Sequence, residues 1–216
     1  MPKKEISINR GTEFGWTHGA APYSHSYLSK PILEIIDNLN LQSIVDVGSG
    51  NGMFCAELRR INISAIGVEY DEEGYKVAKE THPNIPFYNL GVQDDPKPIL
   101  STHGHFDAVL STEVIEHLFM PNQLFSFGNQ LIKQGGYYIV STPYHGFLKN
   151  LVLSIFNKWD HHFHPLKNGG HIKFFSRKTL EKIMEDNGLE VVKFEGAGRF
   201  PYLWKRMIIV GRKKSG

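Results

Sequence analysis

The sequence contains a single cysteine, Cys55, and this scarcity excludes several kinds of site. One cysteine cannot close an intramolecular disulfide, and it cannot form the cysteine clusters that hold structural zinc or iron–sulfur groups. No apolar run approaches the roughly 18 residues of a membrane-spanning helix, and residues 1–5 lack the apolar core of a secretory signal. We therefore expect a cytoplasmic protein without a transmembrane segment.

The chain also lacks a strong charge of either sign. Its formal net charge is +2, which predicts no DNA partner and disfavours RNA. A hydrophobic share of 41% argues against disorder, and 216 residues without internal repeats fit one α/β domain, residues 1–216. Nothing in the composition sets the oligomeric state.

The segment 43–52 (SIVDVGSGNG) predicts a strand followed by a glycine-rich loop. The β-branched residues Ile44, Val45 and Val47 are typical of a strand buried on both faces. Asp46 interrupts this run, and we expect its carboxylate to accept hydrogen bonds from backbone N–H groups of the loop. Helical periodicity begins at Met53, so the loop opens onto a helix N-terminus, which is typical of nucleotide-cofactor sites.

The glycines of this loop indicate the cofactor class. A dinucleotide site requires a further glycine three residues after the second, and it is missing here. Gly-x-Gly-x-Gly with an acid before it resembles motif I of the class I S-adenosylmethionine-dependent methyltransferases, which implies S-adenosylmethionine as cofactor; structural glycines in a plain strand–turn–helix are the alternative. The loop residues assigned to the cofactor are Asp46, Gly48, Ser49, Gly50 and Gly52.

Two further strands are expected to contribute to the cofactor site. The strand 65–69 ends in Glu69, where such folds place the acid that accepts hydrogen bonds from ribose hydroxyls. Tyr70 adjoins it, and we expect Asp71 to cap the next helix.

After a third short strand, Gln93 and Asp94 resemble the group that meets the adenine amino group in this family, although the same residues are ordinary turn formers. Tyr27 belongs to an aromatic-rich stretch, and we interpret residues 14–40 as a helical flap over the cofactor, preceded by a loose arm, residues 1–13. Packing of this helix on the sheet is the alternative.

Strands alternate with helices four times, which predicts a Rossmann-like, doubly wound α/β sheet with helices on both faces and its ligand at the carboxyl ends of the strands. A helix capped by Ser176 and two closing strands resemble the antiparallel hairpin that ends the methyltransferase sheet. We therefore expect a mostly parallel, seven-stranded sheet with an antiparallel C-terminal hairpin.

The segment STEVIEHL follows the fourth predicted strand, and its first residues, Ser111, Thr112 and Glu113, are assigned to the cofactor. On a helix, Glu113, Glu116 and His117 would share one face. The string EVIEHL resembles a segment of the ubiquinone-biosynthesis O-methyltransferases, and its Glu-x-x-Glu-His spacing resembles the metal-binding helix of the small-RNA 3′-terminal 2′-O-methyltransferases.

This segment has three interpretations. As metal ligands, Glu113, Glu116 and His117 would hold Mg²⁺, Mn²⁺ or Zn²⁺, which would polarise a substrate hydroxyl. Without a metal, His117 would be the general base, with its proton affinity raised by a neighbouring glutamate. In the third interpretation the glutamates favour a helix start and the histidine is a structural hydrogen-bonding group.

More histidines follow the fifth predicted strand. The phrase GGHIKFFSRKTL is similar to the Gly-x-His stretch of the ubiquinone-pathway enzymes, so His171 joins His117 and His145 as a candidate catalytic residue, whereas His161–His164 also fit a solvent-exposed loop. We interpret residues 144–172, with their apolar centre, as a substrate lid; contact with a partner or with a bilayer surface is the alternative.

The resemblance implies a methyltransferase that methylates a hydroxyl of a small-molecule acceptor, and the apolar lid indicates a hydrophobic or aromatic one. Two other hypotheses compete with it. One is a metal-dependent RNA 3′-terminal 2′-O-methyltransferase, and the other is a binding module that retains S-adenosylmethionine without catalysis. A nicotinamide oxidoreductase is disfavoured by the missing glycine.

Overall fold

The structure is a computed structural model that describes residues 16, 19–20, 22–163, 165–166 and 169–214. The predicted loose arm, residues 1–13, and His164 lie outside the described residues. The strands are β1 Ser43–Val47, β2 Ser64–Val68, β3 Phe87–Tyr88, β4 Phe106–Thr112, β5 Ile132–Pro143, β6 Leu189–Ala197 and β7 Arg206–Lys213. The helices are α1 His25–Asn38, α2 Met53–Arg60, α3 Glu72–Thr81, α4 Lys97–His103, α5 Asn122–Leu131, α6 Phe147–Ile155, α7 Trp159–Phe163 and α8 Arg177–Asp186.

These strands form one seven-stranded sheet in the order β3-β2-β1-β4-β5-β7-β6. Strands β1 to β5 pair in parallel, and β7 lies antiparallel between β5 and β6. The predicted Rossmann-like sheet with its C-terminal hairpin is therefore confirmed. Strand order reverses between β1 and β4, so the ligand crevice is expected at their carboxyl ends.

Helices cover both faces of the sheet, because its central strands are apolar on both sides. Ile44 faces a core shared with α1 and α2, whereas Val45 faces a second core shared with α5 and α8. Successive side chains of a strand point to opposite faces, so this short run supplies both cores.

Helix α1 belongs to the core. Its residues Leu28, Ile32, Ile35 and Ile36 are almost fully buried, so this part of the predicted flap packs on the sheet. Tyr27 is half-buried, with the Lys205 ammonium 5.1 Å from its ring centre. Of the helices in the described part of the chain, none is long and apolar enough to cross a membrane.

Candidate active site

The loop after β1 needs its glycines. Gly48, Gly50 and Gly52 have φ values of 81°, 53° and 80°, in the left-handed region that glycine adopts most readily. A Cβ at Gly48 would come within 2.2 Å of the Val114 side chain, and one at Gly50 within 2.4 Å of the Trp16 ring. A side chain would clash at either position, and at Gly48 the bare main chain forms part of a cavity wall.

A cavity of about 430 Å³ lies where β1, β2, β3 and β4 end. Its lining residues are Trp16, Val47, Gly48, Glu69, Tyr70, Leu90, Gly91, Val92, Gln93, Glu113, Val114, His117, Leu118, Phe119, Met120 and Gln123. Six residues of the predicted site are among them: Gly48, Glu69, Tyr70, Gln93, Glu113 and His117. The apolar wall was not predicted, although Leu90 ends the third predicted strand, residues 86–90, and Val92 follows it.

Glu69 ties the end of β2 to the glycine loop. One carboxylate oxygen accepts a hydrogen bond from the backbone N–H of Gly50 at 2.6 Å, and the other accepts one from Asp71 at 2.8 Å. Burial raises the pKa of Glu69 to about 7. The loop hydrogen bond that the sequence predicts for Asp46 is therefore made by Glu69.

Asp46 is almost fully buried behind the loop. Its Oδ2 accepts a weak hydrogen bond from the Cys55 thiol at 3.7 Å, and its Oδ1 has no hydrogen-bond partner among the described residues. The prediction that loop N–H groups would satisfy it is wrong. Burial, and then the negative charge of Glu69, raise the pKa of Asp46 to about 7. A cationic group beside this carboxylate would relieve the desolvation that burial imposes.

Several predicted cofactor residues shape the crevice without lining it. The Asp94 carboxylate accepts a hydrogen bond from the Gly91 N–H at 2.7 Å, and the Ser111 hydroxyl donates one to the Val47 carbonyl at 2.9 Å. Asp71 occupies the N-cap position of α3, but its side chain does not cap that helix. The other predicted cofactor residues outside the lining are Tyr27, Asp46, Ser49, Gly50, Gly52 and Thr112.

The prediction that one helix places Glu113, Glu116 and His117 on the same face is wrong. β4 continues to Thr112, Glu113 has a left-handed φ of 58°, and only Ile115–His117 form a short 3₁₀ helix.

The Glu113 carboxylate accepts hydrogen bonds from the Arg206 guanidinium and from the Ser141 hydroxyl, the latter at 3.1 Å. It therefore balances a buried cation and does not join the group of possible metal ligands that the described residues form.

Glu116, His117 and His171 come together instead, with one possible ligand atom from each within 4.8 Å of the others. The approach of His171 follows from backbone pairing, because the N–H groups of Ile172 and Lys173 donate to the Glu116 carbonyl at 3.0 and 3.1 Å. The rings of His117 and His171 lie 5.0 Å apart, centre to centre. Two of the three predicted metal ligands, and two of the three predicted catalytic histidines, therefore meet.

The protonation of this cluster follows from its partners. Nδ1 of His117 lies 3.1 Å from the Gly170 carbonyl oxygen, which can only accept, so the neutral ring carries its lone pair on Nε2. Glu116 is fully buried; Oε2 accepts a hydrogen bond from Thr142, and Oε1 lies 4.0 Å from Nε2 of His171. Burial, and then the charge of Glu113, raise the pKa of Glu116 well above its usual value.

His145 belongs to a separate group of rings. It stacks on Phe163 with 5.7 Å between ring centres, and its Nδ1 lies 3.3 Å from the Asn150 side-chain oxygen. Burial lowers its pKa to about 4, so the ring is neutral at physiological pH. It contacts His162 and Phe174 rather than the three-residue cluster.

Comparison with known proteins gives consistent results. Residues 21–193 match the family described as "Methyltransferase domain". The mitochondrial ubiquinone biosynthesis O-methyltransferase of Rattus norvegicus is 27% identical over 168 residues, which are 76% of this chain and 49% of the relative. The Ruegeria sp. ubiquinone biosynthesis O-methyltransferase is 28% identical over 170 residues, which are 75% of this chain and 66% of the relative. The chain thus spans about half the length of the mitochondrial relative.

Solved structures show the same fold. YcgJ of Bacillus subtilis has a TM-score of 0.66 at 15% identity, over 87% of this chain and 100% of that chain. Magnesium protoporphyrin IX methyltransferase of Synechocystis, with bound SAH, has a TM-score of 0.64 at 15% identity, over 86% of this chain and 81% of that chain.

Proposed function

The chain belongs to the methyltransferase-domain family of S-adenosylmethionine-dependent enzymes, and we propose that it methylates a hydroxyl of a small-molecule acceptor. One observation carries the proposal: His117, with its lone pair on Nε2, lines the same cavity as Gly48 and Glu69. The name of the relatives, ubiquinone biosynthesis O-methyltransferase, supports a hydroxyl as the acceptor group.

The residues around the cavity fit the proposed cofactor. Asp46 is a buried acid with an oxygen that lacks a partner in the described chain, and it would attract the ammonium group. Glu69 keeps acceptor capacity for ribose hydroxyls beyond its two backbone bonds, since a carboxylate has about four lone-pair sites. Leu90 and Val92 offer an apolar wall for the adenine ring.

The reaction is a displacement at the sulfonium methyl group. Bound S-adenosylmethionine would supply the methyl group: the acceptor oxygen would bond to the methyl carbon as the carbon–sulfur bond breaks, and its electron pair would leave with the sulfur of S-adenosylhomocysteine. The hydroxyl proton passes to Nε2 of His117, which Gly170 holds in the correct tautomer. Positioning the oxygen in line and excluding water supply much of the acceleration.

A divalent cation also fits the cluster. Glu116 and the two imidazoles of His117 and His171 would hold it, and the ion would supply polarisation of the acceptor hydroxyl. This fit favours a second candidate function, metal-dependent methylation of an RNA 3′-terminal hydroxyl, although a net charge of +2 gives RNA little attraction.

A labelled-methyl transfer screen of extracted metabolites and RNA, with and without a chelator, tests the proposal. We expect label in a small-molecule product at a rate that the chelator leaves unchanged, because the proton acceptor is an imidazole. Label that appears only in RNA, and only when Mg²⁺, Mn²⁺ or Zn²⁺ is present, would contradict it in favour of the second candidate.

We expect the affinity for S-adenosylmethionine to depend on pH. Burial raises the pKa of both Asp46 and Glu69 to about 7. Asp46 must be ionised to attract the ammonium group of the cofactor, and Glu69 must be ionised to accept hydrogen bonds from both ribose hydroxyls. Affinity should be highest above this pH and should fall as the pH drops through it, because each carboxylate then takes up a proton. Each such proton should lower the affinity by up to about tenfold per pH unit.

Calorimetric titration between about pH 6 and 7.5 checks this dependence, below the range near pH 8 in which the cofactor amine itself loses its proton. Asp46→Asn should bind more weakly and with a flatter pH profile. An affinity in the native protein that stays constant across this range would contradict the prediction.

A further inference from the structure

Helix α6 buries a charged residue and exposes apolar ones, which is the reverse of the usual pattern for a helix that packs on a core. Its one buried residue is Lys149, which is 6% exposed, whereas Phe147 and Ile155 are 83% and 66% exposed. An amphipathic helix normally buries its apolar stripe, and lysine is almost never fully buried unless it is paired. Burying the Lys149 amine costs desolvation free energy, and such buried ionisable groups are concentrated at functional sites.

Lys149 converges with a second cation on a single neutral oxygen. Its Nζ donates to the Lys205 carbonyl at 3.2 Å, and Nη1 of Arg206 donates to the same oxygen at 3.1 Å. The Tyr144 N–H is a third donor to it, at 3.2 Å. A carbonyl carries only a partial negative charge, so an anion would be a stronger acceptor than this oxygen for the Arg206 guanidinium and for the protonated Lys149 ammonium.

Glu113 bonds to Arg206 and its charge also acts on Lys149, whereas Glu116 acts on Arg206 without bonding to it. Among the described residues, Glu113 is therefore the one carboxylate bonded to either cation. Burial, and then the charges of Arg206 and Arg199, lower the pKa of Lys149 to about 7. Glu113 also lines the cofactor cavity, so its partner Arg206, and Lys149 on the same carbonyl oxygen as Arg206, lie next to that wall.

We propose that Lys149 and Arg206 form a binding site for a carboxylate group of the methyl acceptor. This inference rests on the proposed function and names the substrate class: a small hydroxylated molecule that also bears an acid. The carboxylate would complete the hydrogen bonds of both cations, and α6 would cover it with its inward-facing lysine.

The test uses two probes that differ in charge alone. Protein saturated with S-adenosylhomocysteine is titrated calorimetrically with 4-hydroxybenzoate and with 4-hydroxybenzamide. We expect the native protein to bind the acid about tenfold more tightly than the amide, the lower end of what one charge-assisted hydrogen bond contributes. Lys149→Met should abolish this preference, and exposed Lys178→Met on α8 should keep it.

A thermal melt separates this role from a structural one. Lys149→Met removes a buried charge to which no carboxylate of the described residues bonds, so the melting temperature of the variant should equal or exceed that of the native protein. Lys149→Gln, which keeps a polar group, should lose the preference as well. Equal binding of both probes, binding of neither, or a preference that survives in both variants would overturn the proposal. Failure of S-adenosylhomocysteine itself to bind would instead remove the proposed function.

Discussion

Replacing Glu69 with alanine is expected to weaken S-adenosylmethionine binding about a hundredfold. The variant loses the carboxylate that would accept the ribose hydroxyls, and it also releases the Gly50 N–H that Glu69 holds at 2.6 Å. Two charge-assisted hydrogen bonds at about 1.5 kcal/mol each correspond to a factor of this size. Calorimetric titration of the variant with the cofactor measures it.

Glu73→Ala is the matched control for this experiment. Glu73 lies four residues further along, partly exposed on the first turn of α3, where it pairs with Lys76 at 3.1 Å. A surface pair of this kind contributes little, so cofactor affinity should stay at the native value. Native affinity in Glu69→Ala would show that the cofactor does not meet this carboxylate.

Replacing His117 with alanine should lower turnover by about a hundredfold, the low end of what a general base contributes. His171→Ala should also lower turnover, because its ring lies 5.0 Å from that of His117 and beside Glu116. Cofactor affinity should change little in either variant, since neither ring forms the glycine loop or the Glu69 contacts. Single-turnover rates with bound cofactor separate the two effects.

His105→Ala provides the control for the histidine variants, because His105 is exposed on the loop before β4. It should turn over at the native rate. If His117→Ala and His171→Ala also keep the native rate, neither histidine takes part in the reaction. Weakened cofactor binding in both would assign them to the cofactor side of the cavity.

Local patterns predicted the fold well, because each depends on residues close in sequence. The left-handed glycines after β1 follow from spacing alone, and Ser176 caps α8 through a reciprocal bond with Thr179, three residues away. The position of Glu69 in the cavity wall also follows from a local pattern, since an acid after the second strand has a fixed place in such sheets.

Partners distant in sequence could not be predicted. Glu113 bonds to Arg206, 93 positions later, and this ion pair draws it away from the metal-ligand group. A left-handed φ at a glutamate is uncommon for a side chain of that kind, so helical spacing placed Glu113 on the wrong face.

Burial of Lys149 was equally hidden from the sequence. An apolar stretch with a lysine near its start is ordinarily expected to leave that lysine in water. Only the folded chain shows that β7 brings Arg206 and the Lys205 carbonyl beneath α6. The charge that suggests the acceptor class therefore arises from tertiary packing.

The central claim is that the crevice between the loop at Gly48 and the carboxylate of Glu69 holds the cofactor, with its sulfur facing His117. A crystal structure of the protein soaked with S-adenosylhomocysteine tests it most directly. We predict density for the ribose beside Glu69, the ammonium group near Asp46, and the sulfur on the His117 side of the cavity. A crevice left empty at saturating ligand, or ligand bound away from both Gly48 and Glu69, would contradict it.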